Sequence, residues 1–222
     1  MAVTLDAEID QAEAGDGRSA KRDARRRAFL DAATELFLTK GYGGTSLHDV
    51  VRRSGGSLAT LYAMFGNKAG LFRELVEEHC HAASSIFDDA AIADMPPKAA
   101  LTRFAHLLYA LICSSEAVGA YRLLAAEGQQ FPEMAQTFFS AGPDSGKTRV
   151  ANYLTEQARR GVLEIDDPLL AAQRFCSMVC AGQELRLAAG LPSTIPAEKV
   201  EQHLTGVVRT FLRGHAPGST TP

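Results

Sequence analysis

The chain has 222 residues, 46% of them apolar, and a formal net charge of −3. That much apolar side chain can bury a large core in one or two compact units. No run is long enough for a membrane helix, and the opening MAVTLDAEIDQAEAGDG has neither the basic nor the apolar stretch of a signal peptide, so a cytoplasmic protein with no membrane partner is expected.

In chain order, the first seventeen residues carry five acids and no base. This composition predicts a disordered acidic arm over 1–20. A solvated tail is one reading of it, and a tail folded back on the bases that follow is the other. Residues 18–68 then hold ten Lys/Arg against four Asp/Glu, a local net of +6, which leaves −9 for the remainder. Such asymmetry turns one end of a molecule toward a polyanion and keeps the other end off it. The arm Arg18–Arg27 either tracks phosphates or reaches a minor groove, or it is a solvated helix start with extra charge.

Lys21 to Lys40 reads as one amphipathic helix, with Ala24, Ala28, Ala32, Leu36 and Lys40 on one side and Phe29, Ala33 and Phe37 beside them. Gly41 stops it. Ser46 and Asp49 have capping-box spacing, so a second helix starts at Leu47 and turns Leu47, Val50 and Val51 inward. Arg52 and Arg53 fall in its last turn, where cations suit the helix dipole, and Ser54-Gly55-Gly56 ends it. Ser57 caps a third, short helix over Leu58–Met64 that buries Leu61 and Phe65 and leaves Thr60 and Tyr62 outward. Asn67 caps a fourth, with Lys68 in its first turn. A short helix with hydroxyls near its start, following a glycine turn, suits the reading helix of a helix-turn-helix.

The string FLDAATELFLTKGYGGTSLHDVVRRSGGSLATLYAMFGNKAGLF resembles the N-terminal domain of the TetR family of bacterial transcriptional regulators. The shared features are a first helix ending in F-x-x-x-G-Y, the T-S pair, the G-x-S turn, T-L-Y-x-x-F and N-K-x-x-L-F. The resemblance covers roughly residues 22–75. It implies an all-helical homodimer that binds a palindromic operator and releases it when a small molecule enters the C-terminal domain. It also implies DNA contacts from Thr45, Ser46, Ser57, Leu58, Ala59, Thr60, Tyr62 and Lys68. Two positions depart from the family pattern. Gly56 stands where Val or Ile is usual, which predicts a looser turn and a lost core contact. Leu58 stands where a polar residue is common. It either meets thymine methyls with Ala59 or fills the space Gly56 vacates.

Beyond Leu71 the apolar spacing stays helical, with helices expected near 67–89, 97–114, 117–129, 131–140, 144–161, 167–189 and 197–213. The stretches YRLLAAEGQQFPEMAQTFFSAGP and DPLLAAQRFCSMVCAGQELRLAAG resemble the AefR/AcrR-like branch of the same family. In that family the last two long helices form the dimer interface, which implicates Phe175, Val179, Val200, Leu204, Val208 and Phe211; ordinary intrachain core is the competing reading. Polar side chains interrupting apolar helices, namely His106, Tyr109, Cys113, Tyr121, Arg122 and Gln183, are candidates for lining a ligand pocket.

The four cysteines (Cys80, Cys113, Cys176 and Cys180) are dispersed, as suits a reducing compartment. His79-Cys80-His81 and the i, i+4 pair Cys176/Cys180 lack further ligands at a convincing spacing, so no metal and no cofactor are expected. No phosphate-binding glycine loop, zinc-protease signature or nucleophile elbow is found, and no enzymatic activity is expected.

The expected architecture is all-α: a three-helix helix-turn-helix head over 21–67, a larger helical ligand-binding and dimerisation domain over 68–214, and a tail over 215–222. The expected function is a transcriptional repressor that binds double-stranded operator DNA as a homodimer and responds to a small apolar or aromatic organic effector. The competing reading is a helical small-molecule-binding protein with weakened DNA binding.

Overall fold

The computed structural model describes the backbone of residues 3–84, 92 and 94–218, and the side chains of 19–78, 92 and 94–218. Among these residues every regular element is a helix, and the chain divides into two compact units that meet between Leu75 and Val76 in sequence.

The first unit holds α1 (Val3–Lys40), α2 (Leu47–Ser54), α3 (Leu58–Phe65) and the start of α4 (Lys68–Ser84). The stripe Phe29, Ala33, Leu36 and Phe37 on α1 is buried, as its spacing predicts, together with Tyr42, Val50, Leu61, Phe65, Leu71 and Phe72. Ala24 and Lys40, expected on that stripe, are exposed at its ends. Rings lock the unit. Phe37 stacks on Tyr42 at 5.4 Å, Phe72 meets both edge-on at 5.8 and 5.6 Å, and Phe29 meets Phe65 at 6.2 Å.

Two sequence expectations are corrected here. The helical backbone of α1 extends to Val3, through the acidic segment expected to be a disordered arm up to residue 20. That segment contains no proline, and its Gly15 and Gly17 lie within the helical backbone. The first unit also ends at Leu75 rather than at residue 67, because the first two turns of α4 supply Leu71, Phe72 and Leu75 to its core.

The second unit contains α5 (Pro97–Ile112), α6 (Ser115–Glu127), α7 (Pro132–Ala141), α8 (Pro143–Arg159), α9 (Pro168–Cys180), α10 (Gln183–Ala188) and α11 (Val200–Gly214), the last preceded by a 3₁₀ turn at Ala197–Lys199. Four of these helices start at a proline, whose missing N–H is an orphan at that position anyway. The core lies among α5, α8, α9 and α11. Phe175 is its centre, 6.1 Å from Phe104 and 5.1 Å from Phe211. Tyr153 reaches across it to donate to the Met95 carbonyl at 2.8 Å.

The single helix expected over 167–189 is two helices. Ala181 and Gly182 both take left-handed backbone angles (φ 48 and 73), which ends α9 and redirects the chain into α10. Alanine is the best helix former, so local preference argues against a break there. Tertiary bonds hold the redirected segment. Gln183 is fully buried, donates to the Thr194 hydroxyl at 2.8 Å and accepts from the Thr194 N–H at 3.2 Å. Arg186 donates to the Pro192 carbonyl at 3.0 Å.

Candidate nucleic-acid interface and effector domain

The helix-turn-helix is built from α2, the turn 55–57 and α3. Ser46 and Asp49 form the expected capping box: the Asp49 N–H donates to Ser46 Oγ at 3.1 Å, and the Ser46 N–H to the Asp49 carboxylate at 3.1 Å. These bonds, with Lys40 and Arg52 nearby, hold the Asp49 carboxyl down at about 2. Arg53 clamps α2 to α1 through a two-pronged pair with Glu35 at 2.7–3.0 Å. Ser57 caps α3, accepting from the Thr60 N–H at 3.1 Å with the two hydroxyls 2.8 Å apart. Leu61 and Phe65 anchor α3 from within; Ser57, Ala59 and Tyr62 are exposed, and Leu58 and Thr60 half-buried. The polar start of a short, rigidly held helix is thus presented outward.

Two of the expected DNA contacts are placed otherwise. Thr45 is buried, and its hydroxyl donates to the Leu36 and Gly41 carbonyls at 3.1 and 2.8 Å. It closes the α1–α2 corner and presents no hydroxyl to a phosphate. Lys68 is half-buried: its ammonium donates to the Tyr42 and Thr45 carbonyls at 2.7 and 3.2 Å and lies 4.3 Å from the Tyr42 ring centre. It ties α4 to the same corner. Ser46, also expected at the interface, is exposed but bonded within its capping box.

The expected looseness at Gly56 is not found. Gly55 and Gly56 both have positive φ (73 and 95). A Cβ at Gly56 would lie 3.2 Å from Phe29 Cζ and 3.4 Å from Arg25 Cδ. Arg25 donates to the Ser54 carbonyl at 3.3 Å, capping α2 from outside. The space a Val would take is therefore held by Arg25 and Phe29, and Leu58 is not needed to fill it. Sequence reasoning missed Arg25 in this role because its partner lies 29 positions away; the only hint was the Gly56 departure itself. Arg26, in the same basic arm, pairs with Glu74, while Lys21, Arg22 and Arg52 stay exposed.

In the second unit most of the six polar pocket candidates make contacts within the chain. His106 bridges helices at the surface, with Nδ1 2.8 Å from the Thr102 carbonyl and Nε2 2.7 Å from Glu201; both contacts raise its pKa. Arg122 is exposed and caps α10 through the Ala188 and Leu187 carbonyls at 2.9 and 3.1 Å. Gln183 holds Thr194. Tyr121 packs against the Phe138 ring at 5.2 Å. Tyr109 and Cys113 lie within electrostatic reach of each other, and burial raises both pKa values.

The six dimer candidates are corrected as well. Phe175, Val179, Leu204, Val208 and Phe211 are buried in the chain's own core, and Val200 packs against it. A helix's apolar stripe shows that the face is covered, not which chain covers it. The outward faces of α9 and α11 flank a shallow groove of about 440 Å³, lined by Leu170, Arg174, Ser177, Met178, Thr210 and Gly214 among others, with Phe211 at its floor.

Cys176 and Cys180 are pushed up to about 12 by burial, so both are neutral thiols. Among the described residues no three His, Cys, Asp or Glu side chains are grouped as metal ligands; the side chains of His79, Cys80 and His81 lie outside the described residues. Among the same residues no single helix is long and apolar enough to cross a membrane.

A capped, outward-facing short helix on a basic three-helix base defines a helix-turn-helix DNA-binding regulator. Comparison with known proteins places it further. Residues 29–75 match the family described as bacterial regulatory proteins, tetR family, and residues 99–217 match the C-terminal domain of AefR-like transcriptional repressors. The chain belongs to the TetR family of transcriptional regulators, which are DNA-binding proteins and not enzymes. It is 26% identical over 192 residues to the HTH-type transcriptional regulator YvkB of Bacillus subtilis, covering 85% of this chain and 95% of that one. Over 54 residues (24% of this chain and 26% of the other) it is 48% identical to the repressor ComR of Escherichia coli. Among solved structures, the flavonoid-responsive regulator FrrA superposes with a TM-score of 0.71 at 31% identity, covering 87% of this chain and 98% of that one. A TetR-family regulator from Mesorhizobium loti superposes at 0.72 with 23% identity over 88% and 98%, a likeness of fold.

Proposed function

We propose that this regulator is a cytoplasmic repressor that binds a palindromic operator as a homodimer and releases it when a small apolar or aromatic molecule enters the second unit. One observation carries the DNA-binding part of the reading: α3 buries Leu61 and Phe65 while offering Ser57, Ala59 and Tyr62 outward from its capped start. In this reading Ser57, Leu58, Ala59 and Thr60 meet base edges, Ser46 and Tyr62 meet phosphates, and Thr45 and Lys68 hold the corner that aims them. The outward faces of α9 and α11, with small Ser177 and Gly214 allowing close approach, are the self-association surface.

The head supports this reading over a vestigial one, because Arg25 and Phe29 complete the turn that Gly56 was expected to loosen. The similarity to FrrA, a flavonoid-responsive protein, supports a planar aromatic effector. Such a ligand acts only through its different affinities for the DNA-bound and DNA-free forms of the protein. A gel-shift assay against the DNA upstream of the chain's own coding sequence, with and without a flavonoid, tests the reading. A retarded band that the flavonoid releases supports it; failure to retard any fragment of that DNA counts against it.

A further inference from the structure

The outward side of α3 carries no side chain that can read a base through a charged or amide hydrogen bond. Residues 57–65 are Ser, Leu, Ala, Thr, Leu, Tyr, Ala, Met and Phe, with no Arg, Lys, His, Asn, Gln, Asp or Glu among them. Leu61 and Phe65 are buried, so the open face is Ser57, Ala59, Tyr62 and Ala63, with Leu58 and Thr60 half-buried beside it. Ala59, Tyr62 and Ala63 stand at i, i+3 and i+4, which lines two methyl groups along one side of the helix. In the major groove thymine is the base that offers a methyl for apolar contact. Guanine and adenine are told apart by two-pronged Arg, Lys, Asn or Gln side chains.

Four cations of the surrounding elements are engaged in holding α3 rather than in extending its reach. Arg25 is bonded to the Ser54 carbonyl, Arg52 to Asp49, Arg53 to Glu35, and Lys68 to the Tyr42 and Thr45 carbonyls. The two hydroxyls at the start of α3 do not discriminate between purines either. Ser57 Oγ and Thr60 Oγ1 are 2.8 Å apart, and Ser57 Oγ also accepts the Thr60 N–H. One hydroxyl hydrogen is therefore used between the two oxygens and one is left to donate. A single donor suits N7 of adenine and of guanine alike. Discrimination falls to the apolar groups. Arg25 and Phe29 occupy the room beside Gly56, which leaves Leu58 next to Ala59 at the start of the helix.

We propose that α3 reads its half-site by the 5-methyl groups of thymine, through Leu58 and Ala59. The base pairs under these two residues are then selected for a methyl group rather than for a pattern of donors and acceptors. This rests on the reading of the head as an operator-binding unit, and it deepens that reading by naming the base and the group on it that is recognised. Ser57 and Thr60 supply one purine N7 contact that sets the register without choosing between A·T and G·C.

The test uses the full-length protein and the DNA upstream of its own coding sequence, prepared once with thymidine and once with deoxyuridine, which keeps the pairing and removes the 5-methyl. Binding is expected to weaken about four-fold for each contacted methyl lost, and about sixteen-fold for one in each half-site of a dimer. Short duplexes covering the protected region then carry T·A, U·A, C·G or 5-methylcytosine·G at each thymine in turn. At the positions under α3 the expected order is T·A and 5-methylcytosine·G together, above U·A and C·G. Ala59→Ser, at an exposed site, should melt as the wild type does and narrow the preference for T·A over U·A; with Leu58→Ala added, the preference should vanish. Equal binding of the two upstream fragments overturns the proposal. So does C·G ranking with 5-methylcytosine·G at every thymine, or a preference unchanged in the double variant. If folded protein retards neither fragment, the operator-binding reading fails and this inference with it, whereas equal retardation of both removes the methyl reading alone.

Discussion

The two units use apolar helix stripes in the same way, yet the stripes mean different things in each. In the head, the residues left over after Leu61 and Phe65 are buried are the ones presented outward on α3. In the second unit, the stripes of α9 and α11 are consumed by the chain's own core, and the surface proposed for self-association is the mixed face around Leu170, Ser177, Met178 and Thr210. Periodicity identifies which face of a helix is covered. It becomes a statement about partners only when the fold shows that the chain does not cover that face itself.

The largest expected effect separates core from contact surface. Val208→Glu places a carboxylate in a fully packed site and should cost at least about 4 kcal/mol, abolishing cooperative melting of the second unit by circular dichroism. Ser177→Glu lies on the outward groove. It should leave the melt nearly unchanged and shift light-scattering mass toward monomer at micromolar concentration. A folded, monomeric Val208→Glu would restore the interface role first expected for that residue.

Next is Gly56→Val, which installs the residue usual in the family. With φ 95 and Phe29 Cζ 3.2 Å from the new Cβ, it should destabilise the head by about 1–3 kcal/mol. A stabilised variant, read from the thermal transition, would mean that Arg25 and Phe29 do not fill the turn as described.

Lys68→Ala and Tyr62→Phe sharpen the division between holding and touching. Lys68→Ala removes two carbonyl bonds and a ring contact, so it should lower head stability by about 1–2 kcal/mol and weaken DNA binding as a consequence. Tyr62→Phe should leave stability alone and weaken binding to all sequences evenly, because phosphate contacts position rather than specify. Equal melting temperatures for wild type and Lys68→Ala would return that lysine to the interface.

The smallest effect is in pH. Asp49 is held at about 2 against an ordinary value of 3.8, so its contribution is fully present above the ordinary value and lost as pH falls toward 2. Ser46→Ala removes the leading cause of that depression. The variant should melt below wild type near neutrality, and the gap should shrink in acid melts between those two values. A gap that stays constant down to pH 2 would detach the cap from the titration.

How much was legible in the sequence follows from how local each cause is. The caps at Ser46 and Ser57, the inward pair Leu61/Phe65 and the α1 stripe all depend on spacings under ten residues, and the structure has them where the spacing puts them. The role of Arg25 depends on a contact 29 positions away, and that of Lys68 on contacts 23 and 26 away; no window on the sequence contains both partners. Thr45 is named a DNA contact by resemblance, whereas the corner closing over Leu36 takes its hydroxyl inside. The break at Ala181 was invisible because tertiary bonds through Gln183 override a strong helix former. Arg122 and His106 looked like pocket residues for a related reason. A polar side chain on an apolar helix can as readily cap a neighbouring helix or bridge to it.

The most direct test of the central claim, that the head is the electrostatic and reading surface for operator DNA, is the salt dependence of binding to the upstream DNA fragment. If each head of a dimer meets about three to five phosphates, the log–log slope of the association constant against salt should be about −5 to −9 despite the chain's net charge of −3. Tyr62→Phe, which removes no charge, should weaken binding while leaving that slope unchanged. A slope near zero, with the protein folded, would contradict the account.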